Sequence, residues 1–149
     1  MRESPQLSAS LEDYLEAIYH IVAGKQAARA KDIVERLGVH NSSVTQALRS
    51  LADKGLVNYA PYDLVTLTED GQTAAADVVE RHAALRSFLV EVLGLPGDLA
   101  EADACRLEHG ISPDVLERLR LLMAYRRRNP ATVVCWNERL GDFAPGTEA

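Results

Sequence analysis

A chain of 149 residues with 47% apolar side chains and a formal charge of −6 can build one domain, or two small ones around a shared core. It holds no apolar run near the ~18–20 residues of a membrane span, and no basic-then-apolar start of an export signal, so a cytoplasmic protein without a membrane partner is expected. Two cysteines make no disulfide framework and read as buried thiols or ligands.

The first helical period runs from Leu11 to Val22. Leu11, Leu15, Ile18 and Val22 share a stripe, with Tyr14 and Tyr19 beside it and Ser10 as the expected N-cap. Residues 24–29 read as a loop. Ile33, Val34 and Leu37 then predict a short amphipathic helix that Gly38 ends in the left-handed conformation. Asn41 is the expected N-cap of a second helix with Val44, Ala47, Leu48 and Leu51 buried, closed by Gly55. Two short helices joined by a glycine-containing turn form a helix-turn-helix. Strand-like runs at 56–59 and 64–67 flank a Pro-containing turn, and a hairpin in this place is the wing of a winged helix.

A long helix is expected over 69–93, striped by Ala75, Val78, His82, Leu85, Leu89 and Val92. Residues 93–97, L-G-L-P-G, break it. A helix around 98–109 ends at Gly110. Ser112-Pro113 opens another, whose apolar face is Val115, Leu116, Leu119, Leu122 and Met123. From Arg126 onward the signal fades, and the final stretch A-P-G-T-E-A (144–149) is expected to be disordered. The fold class is mainly α: an N-terminal winged helix-turn-helix over 1–70, a helical domain over 71–126 and a tail over 127–149.

The charge is unevenly spread. Residues 24–55 carry Lys25, Arg29, Lys31, Arg36, Arg49 and Lys54 against Asp32, Glu35 and Asp53, a local +3 that leaves −9 for the remainder. A basic module on an acidic body can bind DNA, because the field at the contact face matters more than the total. A helix-turn-helix lays its second helix in the major groove of double-stranded DNA. Its candidate contacts here are Asn41, Ser42, Ser43, Thr45, Gln46 and Arg49, with Ser50 beside them. Gln suits adenine and Arg suits guanine. Arg29 and Lys31 are candidate phosphate contacts, and Tyr62 at the wing tip can touch the backbone. A purely solvated helix face would favour Glu and Lys over these short polar groups.

Cys105, Glu108 and His109 stand at i, i+3 and i+4, one face of a helix, and each can bind a metal. Asp13 and Glu16 are i, i+3 neighbours, and His82 lies on the apolar stripe of the long helix. Facing helices commonly supply such ligands. The bland readings stand alongside: Asp13 as a capping residue, Glu16 solvated, His82 a core histidine, Cys105 a small hydrophobe, and Glu108 with His109 an ordinary helix end. A rival cluster of Asp13, Glu16 and His20 is also open. An H-E-x-x-H pair, a phosphate-cradling glycine loop and a nucleophile elbow are absent from the sequence, so an enzyme is not expected.

Four stretches carry a resemblance: L-E-D-Y-L-E-A-I-Y (11–19), D-I-V-E-R-L-G-V-H-N-S-S-V-T (32–45), the R-H of V-E-R-H (79–82) and A-C-R-L-E-H-G-I-S (104–112). Together they resemble the metal-dependent repressors of the diphtheria toxin repressor and manganese transport regulator family, over residues 8–125. The resemblance implies a homodimeric repressor of metal homeostasis genes that binds operator DNA when loaded with Mn(II) or Fe(II), with Co(II) or Zn(II) able to substitute. It places the metal ligands on Asp13, Glu16, His82, Cys105, Glu108 and His109. It also implies the short, manganese-responsive branch, without an SH3-like third domain. The ligand set is mixed: manganese-branch members have an acidic residue where Cys105 stands, and iron-branch members have Met where Asp13 stands. Arg86 occupies a place where the iron branch's second site has a carboxylate. The competing class is a winged-helix regulator that answers to a small organic ligand, or to redox state through Cys105.

Overall fold

The structure is a computed structural model that describes residues 6–60 and 64–146. The chain divides into two compact units, Met1–Val79 and Glu80–Ala149, with the boundary inside one long helix. The described residues form six α-helices and two antiparallel hairpins.

In the first unit, α1 spans Ala9–Lys25. Ser8, not Ser10, is its N-cap: its hydroxyl accepts the N–H of Leu11 at 3.2 Å, and Ser10 lies inside the first turn. The helix also runs through Lys25, into the expected loop, before Gln26 turns left-handed at φ 70° and donates its N–H to Val22. α2 spans Ala30–Leu37 and ends at Gly38, φ 65°. Asp32 accepts the N–H of Arg29 at 3.0 Å, closing the helix start from within.

α3 spans Asn41–Asp53 with His40 at the N-cap position, so Asn41 is the first helical residue rather than the cap. The buried stripe is the expected one, Val44, Ala47, Leu48 and Leu51. Gly55 follows at φ 72°. β1 (Val57–Asn58) pairs with β2 (Thr66–Leu67), and Ala28 bridges to Val65. These segments are shorter than the strand-like runs of the sequence. The core of this unit is Leu15, Ile18, Ile33, Val44, Leu48, Leu51, Leu56 and Val65, all at most 1% exposed. Each such side chain stabilises the fold by about 1.5–3 kcal/mol relative to exposure.

α4 spans Glu69–Glu91. Thr68 starts it: its hydroxyl accepts the Gly71 N–H at 3.0 Å and donates to the Gly55 carbonyl at 2.6 Å. Gly71 is required there, since a Cβ would stand 1.8 Å from the Leu56 carbonyl oxygen.

In the second unit, α5 spans Gly97–Leu107 and α6 spans Pro113–Arg128. Ser112 caps α6 by accepting the Val115 N–H, with Pro113 at the first position. Leu85, Leu89, Ala100 and Ala104 form the core, with Phe88, Leu93, Leu95, Ile111 and Leu119 packed against it. The predicted apolar face of α6 is divided. Met123 is buried, whereas Val115 is 51% and Leu122 44% exposed.

The tail departs most from expectation. After a short 3-10 turn at Pro130–Thr132, β3 (Val134–Asn137) pairs with β4 (Asp142–Pro145). This ordered hairpin includes the Ala144-Pro145-Gly146 stretch read as disordered; residues 147–149 lie outside the described residues. Trp136 donates its N–H to Val92 at 3.0 Å and packs edge-on against Phe143. Arg126 donates to the carbonyls of Val134 and Glu91 at 2.6 and 3.0 Å, tying the hairpin to the end of α4. Gly94, at φ 67°, turns the chain beneath the Trp136 ring.

Candidate metal centre and DNA-binding face

The DNA-contact candidates of the first unit project from α3 and the α2 entry. Asn41, Ser42, Ser43, Gln46 and Arg49 are exposed, as are Arg29 and Lys31. Thr45 is half-buried and donates its hydroxyl back to the Asn41 carbonyl at 3.1 Å. Tyr62 lies outside the described residues. Asp32 anchors the Arg29 backbone and meets Lys25 Nζ at 3.1 Å. The Arg29 N–H and the Lys25 ammonium hold the Asp32 carboxyl below its usual value.

On α1, Asp13 is exposed and Glu16 half-buried. Glu16 Oε1 lies 3.6 Å from His20 Nε2, a helical i, i+4 pair.

The second unit brings His82 on α4 together with Cys105, Glu108 and His109 at the end of α5. The helix stops at Leu107, earlier than expected. Glu108 keeps helical dihedrals as the C-cap, and His109 follows in the turn. Glu108 is fully buried, and its Oε2 lies 2.7 Å from His82 Nδ1. The Cys105 thiol is 3.7 Å from the same nitrogen. His109 Nε2 is 3.5 Å from Glu108 Oε1, and Arg81 donates to the Glu108 carbonyl at 3.0 Å.

Glu101 is the member the sequence reading missed. It sits one turn before Cys105 on α5, the spacing that could have found it. Its Oε1 is 2.8 Å from His82 Nε2, and its Oε2 is 2.9 Å from Arg86 Nε. His82, Glu101 and Cys105 offer donor atoms within 4.8 Å of one another.

This donor set fits a divalent transition metal. A carboxylate taken wholly out of water costs several kcal/mol unless cations or hydrogen bonds offset it. Here one is placed against an imidazole nitrogen with a thiol alongside, a mixed O, N and S set that suits first-row divalent ions.

Residues 6–65 match the family model described as iron dependent repressor, N-terminal DNA binding domain. Residues 68–134 match the one described as iron dependent repressor, metal binding and dimerisation domain. The chain belongs to the iron-dependent repressor family. It is 40% identical over 118 residues to an uncharacterised helix-turn-helix regulator of Methanocaldococcus jannaschii, covering 78% of this chain and 94% of that one. It is 35% identical over 124 residues to the regulator MntR of Lysinibacillus sphaericus, covering 83% and 88%. A solved manganese-dependent transcriptional repressor in complex with manganese matches with a TM-score of 0.67 and 33% identity, over 77% of this chain and 53% of that one. The present chain thus spans about half the length of that solved repressor. Members of the iron-dependent repressor family are transcriptional regulators rather than enzymes. The resemblance, the mainly helical fold with a small winged hairpin, and the pairing of a DNA-binding with a metal-binding and dimerisation domain agree with the sequence expectation. Among the described residues no helix is long and apolar enough to cross a membrane.

Proposed function

We propose that this protein is a metal-activated repressor that binds double-stranded operator DNA as a homodimer in the cytoplasm. The observation that carries the reading is the burial of Glu108 against His82, beside Cys105, inside the segment matched by the family's metal-binding domain. We assign the ligands to His82, Cys105, Glu108 and His109 on that geometry, and to Asp13 and Glu16 on the family's sequence pattern.

When bound, a divalent cation supplies the positive charge that lets several carboxylates share one place. The chain's own residues do the rest. Brought to one ion, Asp13, Glu16 and Glu108 would repel one another without its charge. Glu108 and His109 are held by the end of α5, and His82 by α4. Asp13 and Glu16 ride on α1, whose Leu15 and Ile18 pack in the same core as Val44, Leu48 and Leu51 of α3. Fixing α1 therefore bears on the recognition helix. Ser42, Ser43, Gln46 and Arg49 then read the groove, and Arg29 and Lys31 hold phosphates. Exposed Val115, Leu121, Leu122 and Tyr125 on α6 support a dimer face, and half-sites one helical turn or a multiple apart would match the dimer. Metal and DNA then strengthen each other's binding by the same factor.

Mn(II) and Fe(II) are the expected effectors, with Co(II) and Zn(II) able to substitute. The Cys105 thiolate favours Fe(II), Co(II) and Zn(II) relative to Mn(II). The test is operator binding by metal-free protein titrated separately with Mn(II), anaerobic Fe(II), Co(II) and Zn(II). A cation that switches binding on supports the reading, and the rank order names the effector. Equal binding in chelator and in every metal overturns it.

A further inference from the structure

We infer that Glu101, braced by Arg86, is a positioning residue that fixes the His82 ring so that Nδ1 is the metal-binding nitrogen, and is not itself a ligand. This rests on the metal-activated reading above.

The His82 ring is held edge to edge between two carboxylates of different character. Its Nδ1 faces inward, 2.7 Å from the fully buried Glu108 and 3.7 Å from the Cys105 thiol. Its Nε2 faces outward, 2.8 Å from Glu101 on a carboxylate whose side chain is 54% exposed. A ring nitrogen that binds a metal has no proton, and the proton then resides on the other nitrogen, where an acceptor fixes tautomer and ring plane. The inner nitrogen shares its surroundings with the buried oxygen and sulfur donors. The outer one has a single carboxylate, already engaged.

That engagement decides between orienting group and ligand. The Arg86 guanidinium contacts the second oxygen of Glu101 at 2.9 Å, so a cation on Glu101 would have a permanent positive charge as neighbour. Arg86 lies one helical turn after His82 on α4, and Glu101 one turn before Cys105 on α5. The relay Arg86–Glu101–His82 therefore spans two packed helices and sets the angle at which the imidazole edge enters the site. Such orienting carboxylates are worth about 10–100-fold in metal affinity. With both partners half-exposed and screened by water, the lower end applies.

The experiment uses the full-length protein and Zn(II) as probe, with affinity and stoichiometry from a chelator competition and the His82 nitrogens read by 15N NMR. Wild type that binds no Zn(II) removes the metal-activated reading, and this inference with it. Given binding, the zinc-loaded wild type is expected to show a protonated Nε2 and a coordinated Nδ1. Glu101→Ala is expected to weaken binding about 10-fold with unchanged stoichiometry. Glu101→Gln should lose less, because its amide oxygen still accepts from Nε2–H. Three results would each overturn the inference: a lost ion in either variant, which makes Glu101 a ligand; unchanged affinity in Glu101→Ala; or a coordinated Nε2.

Discussion

Glu108 reaches His82 with its carboxylate wholly removed from water, 2.7 Å from an imidazole nitrogen at the junction of two helices. A protein selected for stability alone has little reason to build such a contact, because replacing a whole buried ionic pair by apolar groups is often neutral or stabilising by about 1–4 kcal/mol. Glu108→Leu removes one partner only and leaves the His82 and His109 nitrogens facing an alkyl chain, so metal-free stability should fall, by up to about 3–5 kcal/mol. The rise of Tm with added metal, which follows from ligand binding to the native state, should disappear. Calorimetry in chelator and in Mn(II) reads both quantities. A Glu108→Leu protein with a full metal-induced shift would show that this carboxylate binds nothing.

The Asp32 carboxylate closes α2 through the Arg29 N–H and meets Lys25. Its pKa is lowered in the folded protein, chiefly by the Arg29 backbone hydrogen bond and then by Lys25. Stability from this group is then fully present above the unfolded carboxyl range near 3.9 and is lost as pH falls through the lower folded value. Asp32→Asn, which removes a first-turn negative charge, should cost about 0.3–1 kcal/mol at pH 7, and the gap should close in strong acid. Urea titrations of both proteins along a pH series test the sign; a gap that widens toward acid contradicts it.

Gly71 starts α4 against the Leu56 carbonyl, where a methyl group finds 1.8 Å of room. Gly71→Ala must displace backbone, and a loss of about 1–3 kcal/mol is expected from overpacking. Gly38→Ala meets no neighbour but requires a positive φ, so its cost is about 1 kcal/mol from strain alone. Chemical denaturation of the two variants should rank them in that order.

Arg49 is exposed on α3 and can hydrogen-bond a guanine edge bidentately. Arg49→Ala is expected to weaken operator binding by about 1–3 kcal/mol and relax preference at one base position, leaving metal affinity untouched. Lys31→Ala should weaken all DNA sequences alike and lower the salt dependence of binding. Fluorescence anisotropy at several salt concentrations separates the two behaviours.

The sequence carried the helix-turn-helix well because its signals are local. Gly38 and Gly55 stand where a left-handed turn is needed, and Val44, Ala47, Leu48 and Leu51 keep one period in a core that this unit closes by itself. Caps were harder. Ser8 and Ser10 offer the same hydroxyl, and the choice rests on where the Leu11 N–H points. The hairpin at Val134–Pro145 left little trace, since its short strands are held by Arg126 and by the Val92 carbonyl, partners distant in the chain. In the candidate site, Cys105, Glu108 and His109 were legible from spacing and resemblance. Glu101 was not, because a carboxylate on an exposed helix face gains meaning only when Arg86 and His82 arrive from another helix.

Trp136, the chain's single tryptophan, packs edge-on against Phe143 and sits over the Gly94 turn. Its indole emission therefore belongs wholly to the second unit and comes from the hairpin that clasps the end of α4. Undocking of that clasp will shift the emission, and excitation at wavelengths that tyrosine does not absorb leaves Tyr14 and Tyr19 of the first unit silent, so the native protein carries its own optical gauge for the domain proposed to hold the metal.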